Sequence, residues 1–81
     1  MNHAFADYLQ EQHGLNRTYA HIIELVCAGM TNDQIANRMR MNPFTIKDYL
    51  LKIYRKEKVN SRVQIIIKFL PILRDLNNGK S

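Results

Sequence analysis

The chain has 81 residues, a length that predicts one small domain and leaves no room for a separate sensor or catalytic domain. Hydrophobic residues make up 46% of it, and only three glycines and two prolines are present, which favours a folded chain over a disordered one. The single cysteine cannot form an internal disulfide, the N-terminus lacks the pattern of a signal peptide, and no apolar stretch could span a bilayer, so the sequence predicts a cytoplasmic protein.

The net charge of +5 is concentrated in the middle of the chain. Residues 38–62 contain eight basic and two acidic side chains, a net charge of +6, whereas the remaining residues sum to −1. Such a concentration is typical of a surface that binds a polyanion, because nucleic-acid-binding domains cluster lysine and arginine on one face. A solvated helix face that binds nothing is the alternative that charge alone leaves open.

The spacing of apolar residues predicts helices throughout the chain. The sequence shows no alternating apolar–polar pattern of the kind that indicates a strand. A short amphipathic helix is expected over residues 4–12, ending near Gly14, which suits a C-terminal cap. A second helix is expected over residues 17–28, with Asn16 as its N-cap. Cys27 lies in the apolar stripe of this second helix, so it is interpreted as a small core residue rather than a reactive thiol.

The next segment has the pattern of two helices joined by a tight turn. Thr31 followed three residues later by Gln34 is a capping-box signature, which predicts a short third helix. Asn42 can cap a fourth helix, with Pro43 at its first position, where no backbone donor is needed. The small Ala36 lets two such helices approach closely, as in a helix-turn-helix motif. Spacing alone leaves a plain helical bundle open as the alternative.

The last helix is expected to start near Ser61, and it is apolar nearly all the way round. Its two apolar faces comprise Val63, Ile66, Ile67 and Leu70 on one side, and Ile65, Phe69, Ile72 and Leu76 on the other. A chain of this size can hardly cover both faces, so the second face is expected to form the interface of a homodimer. The alternative is that the N-terminal helix folds back over that face. Pro71 is expected to kink or end the helix near Phe69 or Leu70.

One ordered set of residues lies within residues 15–67, a segment that makes up about two-thirds of the chain. Its members are Gly29, Thr31, Asn32, Ile35, Ala36, Met39, Met41, Thr45, Ile46, Lys47, Leu50, Ile53, Lys56, Val59, Ser61 and Arg62. In residue type and in gapless spacing this set resembles the LuxR/FixJ/GerE-type helix-turn-helix domain of bacterial transcription regulators. The resemblance implies an all-α, four-helix domain with an extra short N-terminal helix, in which the third helix of the core enters the DNA major groove and the fourth forms the dimer contact.

By this resemblance, residues 1–14 form an N-terminal helical extension, residues 15–77 the DNA-binding domain with its dimerisation helix, and residues 78–81 a flexible tail. The chain is therefore expected to be a stand-alone but divergent member. It departs from the family pattern at Thr18 and Tyr19 (usually an Arg-Glu pair), at Tyr49 (commonly histidine), and at Glu57 and Lys58 (usually a Leu-Gly pair). Glu57 is expected to turn out to solvent at the end of its helix.

The resemblance directs the third core helix, residues 43–57, towards DNA. Helical periodicity makes Ile46 the centre of its buried face, with Leu50 and Ile53 beside it. The residues expected to contact DNA are Thr31, Asn32, Thr45, Lys47, Asp48, Leu51, Lys52, Arg55, Lys56, Lys58 and Arg62. Among these, the resemblance aligns Lys47, Asp48 and Leu51 with positions that commonly approach base edges.

The chemistry of these residues indicates different roles. Lys47 can donate to a guanine edge or a phosphate, whereas Asp48 can only accept from an amino group of cytosine or adenine. Phe44 and Leu51 can pack on thymine methyl groups. Thr45, at the helix N-terminus, suits a phosphate contact, and the remaining basic residues supply salt-sensitive attraction that does not depend on sequence.

The same face supports a second hypothesis. Phe44 and Leu51, with an acid between them, also describe a surface that binds protein. The alternative function is therefore a helix-turn-helix-shaped modulator that docks on another transcription regulator.

An enzyme is not predicted. The three histidines and the single cysteine lack metal-ligand spacing, and no phosphate-binding glycine-rich loop or nucleophile–base set is present in the sequence. We expect no cofactor, metal, small-molecule ligand or membrane partner. The expected partners are double-stranded DNA, a second copy of the chain and, under the alternative hypothesis, another regulator. The sequence thus predicts a DNA-binding transcriptional regulator that reads duplex DNA as a dimer.

Overall fold

A computed structural model describes residues 3–78, which form five α-helices and, within that range, no β-strand. The helices are α1 (His3–His13), α2 (Arg17–Cys27), α3 (Asn32–Met39), α4 (Pro43–Glu57) and α5 (Arg62–Asn78). The all-α fold predicted from the sequence is confirmed. The flexible tail predicted at residues 78–81 lies, from residue 79 on, outside the described residues.

Three of the helices begin at the caps that the sequence indicates. The side chain of Asn16 accepts a hydrogen bond from the third residue of α2, and that of Asn42 accepts one from the second residue of α4. Thr31 and Gln34 form both bonds of the capping box at the start of α3, at 3.2 and 2.9 Å. Because each such cap stabilises a helix by about 1 kcal/mol, these local signals define where α2, α3 and α4 begin.

The core lies around α2, which contacts each of the other four helices. Ile22, Ile23 and Val26 of this helix are fully buried. The predicted inner face of α4 is confirmed, since Ile46, Leu50 and Ile53 are all buried against this core. The opposite face of α4 is thereby directed outwards.

The face of α5 that was predicted to form a dimer is instead covered by α1. Ile65 and Phe69 are fully buried, and the Phe69 ring meets the ring of Phe5 edge to face, with centroids 6.3 Å apart. Ile72 and Leu76 are half-buried and pack on the same core. The predicted dimer contacts at Ile65 and Phe69 are therefore wrong, because α1 is placed to shield this face within the same chain.

Pro71 does not end α5, which continues to Asn78. The proline ring is exposed, whereas Phe69 before it and Leu73 after it are buried in the core. Packing on both sides of the proline thus holds the helix together despite the missing backbone donor.

Glu57 is buried, and the expectation that it turns out to solvent is wrong. Its side chain is only 4% exposed, and its carboxylate accepts hydrogen bonds from Nζ of Lys68 at 2.9 Å and from Nδ1 of His13 at 3.0 Å. Nζ of Lys68 also lies 3.3 Å from the backbone carbonyl of Glu57, to which it donates. We call these three residues the Glu57 clamp. It joins the last residue of α1, the last residue of α4 and the second turn of α5.

Helices α3 and α4 each end on a basic residue in the left-handed backbone conformation. Arg40 has φ 56° and Lys58 has φ 57°, in the region that favours glycine. In both turns the next residue donates back to the carbonyl five positions earlier, which closes a Schellman motif. A side chain with a β-carbon costs roughly 1–2 kcal/mol in this conformation, so each turn holds some strain.

We expect Lys58→Gly to stabilise the protein by roughly 0.5–1 kcal/mol, because relief of this strain outweighs the added chain entropy of the unfolded state. The measurement is the midpoint of urea unfolding at unchanged slope. Lys56→Gly is the matched control: Lys56 lies within α4, where glycine should destabilise by about 1 kcal/mol. A lower midpoint for both variants would contradict the argument.

Removal of the Glu57 carboxylate should destabilise the fold strongly. Glu57→Ala leaves His13 and Lys68 without their shared acceptor, which we expect to lower the free energy of unfolding by roughly 2–3 kcal/mol. Glu11→Ala, which removes an exposed acid from α1, should stay within about 0.5 kcal/mol of the wild type in the same urea titration. Equal effects of the two substitutions would show that the clamp contributes no stability.

Candidate nucleic-acid interface

The outward face of α4 gathers most of the residues that the sequence predicts to contact DNA. After Pro43, which is also exposed, the exposed side chains on this helix are Phe44, Thr45, Lys47, Asp48, Leu51, Lys52, Arg55 and Lys56. Two of them are large and apolar: Phe44 is 78% exposed and Leu51 is 44% exposed. Two exposed apolar side chains thus lie on a helix whose other outward residues are mostly basic.

Helical periodicity puts four of these residues on one line along the helix. Phe44, Asp48, Leu51 and Arg55 follow one another at spacings of four, three and four residues, so their side chains point in nearly the same direction. We call them the outward line. At a rise of 1.5 Å per residue the line is about 16 Å long. Its centre is acidic and apolar rather than basic.

Asp48 is free to accept hydrogen bonds. Its carboxylate is exposed and forms no hydrogen bond or ion pair with any residue from 3 to 78. Lys52, one turn further on, does not pair with it; its Nζ lies 6.0 Å from the centre of the Tyr49 ring. That ring is held in turn by an edge-to-face contact with Tyr19, at 5.2 Å between centroids.

The start of α3 lies beside the start of α5. Nη1 of Arg62 donates to the side-chain oxygen of Asn32 at 2.8 Å, and Nη2 donates to the backbone carbonyl of Met30. The half-buried Arg62 thus ties α5 to the turn between α2 and α3. Arg62 was predicted to contact DNA. Two of its guanidinium nitrogens already donate within the fold, and a DNA contact by this half-buried side chain stays a prediction. Thr31, next to Asn32, uses its hydroxyl in the capping box.

Two predicted contacts lie at the far end of α4. The ammonium group of Lys56 lies over the turn between α1 and α2, about 3.5 Å from the point that a β-carbon on Gly14 would occupy. Lys58 follows in the left-handed position that ends the helix. Both side chains are exposed, but they lie about three turns from the first turn of α4.

Arg38 and Arg40 form a basic region that was not among the predicted contacts. Together with Met30, Gln34 and Asn37 they line an open surface cleft of about 550 Å³ on the outer side of α3. Both arginines belong to the basic segment of the sequence, and Arg40 stands only three residues before α4 begins. Their closeness to the helix-turn-helix turn was the signal that could have identified them.

The remaining chemistry of the described residues is unremarkable. Burial, and secondarily the nearby Glu24, raise the pKa of Cys27 from 9.0 to about 11, so its thiol stays protonated at neutral pH. Within residues 3–78, no group of three or more His, Cys, Asp or Glu side chains could hold a metal ion. In the same part of the chain, no helix is both long and apolar enough to cross a membrane.

Comparison with known proteins shows to which family the segment containing α4 belongs. Searches of the curated proteins and of the solved structures returned no significant match to the chain. The family model for bacterial regulatory proteins of the luxR family (GerE) matches residues 14–69. The matched segment contains α2, α3, α4 and the first half of α5, whereas α1 lies before it. Because the match covers more than half of the chain, the protein belongs to the luxR family of bacterial regulatory proteins, whose helix-turn-helix domains bind DNA.

Proposed function

We propose that the protein regulates transcription by binding duplex DNA sequence-specifically, as a homodimer, with the outward face of α4 in the major groove. The observation that carries this proposal is the set of exposed cations around the outward line. The side chains of Lys47 and Arg55 form no hydrogen bond or ion pair within residues 3–78, so their charges are available to an anionic ligand. In the proposed domain arrangement, residues 15–77 are the DNA-binding unit and α1 is an added helix.

The shape of α4 fits this role. It has 15 residues and is therefore about 22 Å long, and the major groove, about 12 Å wide, admits a helix. Its first turn exposes the Thr45 hydroxyl at the positive end of the helix dipole, where a phosphate is favoured. The proposed contacts are Thr31 and Asn32 on α3, Thr45, Lys47, Asp48, Leu51, Lys52, Arg55 and Lys56 on α4, and Lys58 after it.

The outer face of α5 offers a surface for a second copy of the chain. Val63 and Ile67 are 63% and 68% exposed, on the side opposite to the face that α1 covers. An apolar cleft of about 420 Å³ continues this surface as far as Arg74 and Asp75. Neighbouring opposite charges are self-complementary about a twofold axis, because the arginine of one subunit can meet the aspartate of the other. A dimer built this way would present two α4 helices to half-sites about one helical turn apart.

Two cations on α4 are expected to contribute to DNA binding in different ways. Lys47→Ala should weaken binding to a selected duplex by roughly 1–3 kcal/mol and relax sequence preference, because Lys47 lies beside the outward line, where a base edge is in reach. Arg55→Ala should weaken binding to all duplexes alike and reduce the slope of log affinity against log salt by about one. Fluorescence anisotropy titrations with selected and scrambled duplexes, at 50–200 mM salt, measure both effects.

Arg17→Ala is the control, since it also removes one positive charge but lies on α2, where Arg17 contacts His3 at 2.7 Å. It should leave sequence preference unchanged. If the wild type shows no more than weak, length-proportional association with DNA at low salt, this result contradicts the proposed function. Saturable binding of another transcription regulator, lost in the Phe44→Ala Leu51→Ala variant, would then establish the alternative protein-docking hypothesis.

The second prediction concerns the dimer. Ile67→Glu buries a charge in the proposed interface and should yield a monomer in sedimentation equilibrium, with unchanged helix content by circular dichroism. Phe44→Glu makes the same kind of change at a position on α4 that is exposed to a similar degree, and this variant should remain dimeric. A wild type that stays monomeric at all concentrations, or an Ile67→Glu variant with dimer mass, would contradict this interface.

A further inference from the structure

We infer that the outward line of α4 recognises one exocyclic amino group of a base, flanked on both sides by thymine methyl groups. The inference rests on the proposed function, and it specifies the class of DNA sequence that α4 accepts. It is carried by Phe44, Asp48 and Leu51, three exposed residues whose chemistry differs from that of a general polyanion contact.

The spacing of the three residues matches the spacing of stacked bases. Along the helix axis Asp48 lies about 6 Å beyond Phe44, and Leu51 about 4.5 Å beyond Asp48. Stacked base pairs are about 3.4 Å apart, so the three side chains span about three base-pair steps when the helix follows the groove. One acidic position is thus bracketed by two apolar ones over a short run of sequence.

Asp48 supplies the discriminating contact. A carboxylate only accepts hydrogen bonds, and in the major groove only the amino groups of cytosine and adenine donate them. Guanine and thymine present acceptors to the groove, which repel an unpaired carboxylate. Asp48 is available for this role because Lys52 lies over the Tyr49 ring instead of pairing with it.

Phe44 and Leu51 supply the flanking contacts. A phenylalanine that is 78% exposed on a folded domain gains by losing water contact, and the thymine methyl is the apolar group that the major groove offers. The backbone of Phe44 is already fixed, since its N–H donates to the side chain of Asn42 at 2.8 Å. The side chain is therefore presented from the first turn of α4, at the end that enters a groove first.

The first experiment compares base preference in the wild type and two variants. A selected duplex is varied at the position facing Asp48, and affinities are measured by anisotropy. The wild type should prefer cytosine or adenine over guanine and thymine by about tenfold, and Asp48→Ala should reduce this preference to about twofold with little change in affinity for the best duplex. Asp48→Asn should shift preference to adenine, because an amide both donates to and accepts from adenine. The base that the wild type prefers shows whether Asp48 accepts from the amino group of cytosine or from that of adenine.

The second experiment removes single methyl groups from the DNA. Replacing a flanking thymine by uracil keeps the base pair but deletes the methyl, and it should weaken wild-type binding by about fourfold. At the thymine that faces position 44, the same replacement should leave the affinity of the Phe44→Ala variant unchanged. At the thymine that faces position 51, it should leave the affinity of the Leu51→Ala variant unchanged. All these residues are exposed, so the variants should keep the wild-type circular dichroism and unfolding midpoint.

The outcomes separate this inference from the proposed function. Specific, salt-dependent binding by the wild type, with unchanged base preference in Asp48→Ala and no effect of uracil, would overturn the inference and leave the proposed function standing. Failure of the wild type to bind any selected duplex would overturn the proposed function itself.

Discussion

The buried carboxylate of Glu57 is the interaction on which the arrangement of the helices depends. A carboxyl group with 4% exposure is tolerated only where donors replace its water, and here the donors come from two other helices, His13 on α1 and Lys68 on α5. The clamp therefore holds α1 where it covers Ile65 and Phe69. With that face closed, the exposed apolar surface of α5 is the opposite one, and the surface proposed for a second subunit follows from it.

The clamp also connects two features that look unrelated in the sequence. Glu57 occupies a position where the LuxR-type pattern usually has leucine, and His13 belongs to a helix that precedes the matched segment. A carboxylate at this position without α1 would lose one of its two donors, whereas α1 without the carboxylate would lose its polar contact with the end of α4. Glu57 and α1 thus support each other through the contact with His13, which favours regarding α1 as an integral part of this domain.

The helix starts and the inner face of α4 could be predicted from the sequence because they depend on neighbours within four residues and on periodicity. Glu57 could not, because its partner His13 is 44 residues away in the chain, and an acid at a helix end is ordinarily solvated. The same limit applies to Arg62, whose acceptor Met30 is 32 residues distant. The α5 face was ambiguous for a related reason: periodicity identifies an apolar face but not whether the same chain or a second copy covers it.

Along α4, the residues suited to specificity and those suited to affinity occupy different places. Under the proposed function, the acidic and apolar part of the outward line selects which bases are accepted, whereas the cations lie beside it and at the helix end. Lys58 is the clearest case, since it holds a positive charge in a backbone conformation where glycine would be more stable. Strain that persists where a simple substitution would relieve it is often retained for function. Under the proposed function, the lysine gains a phosphate contact at the end of the helix, and the domain accepts a small loss of stability in exchange.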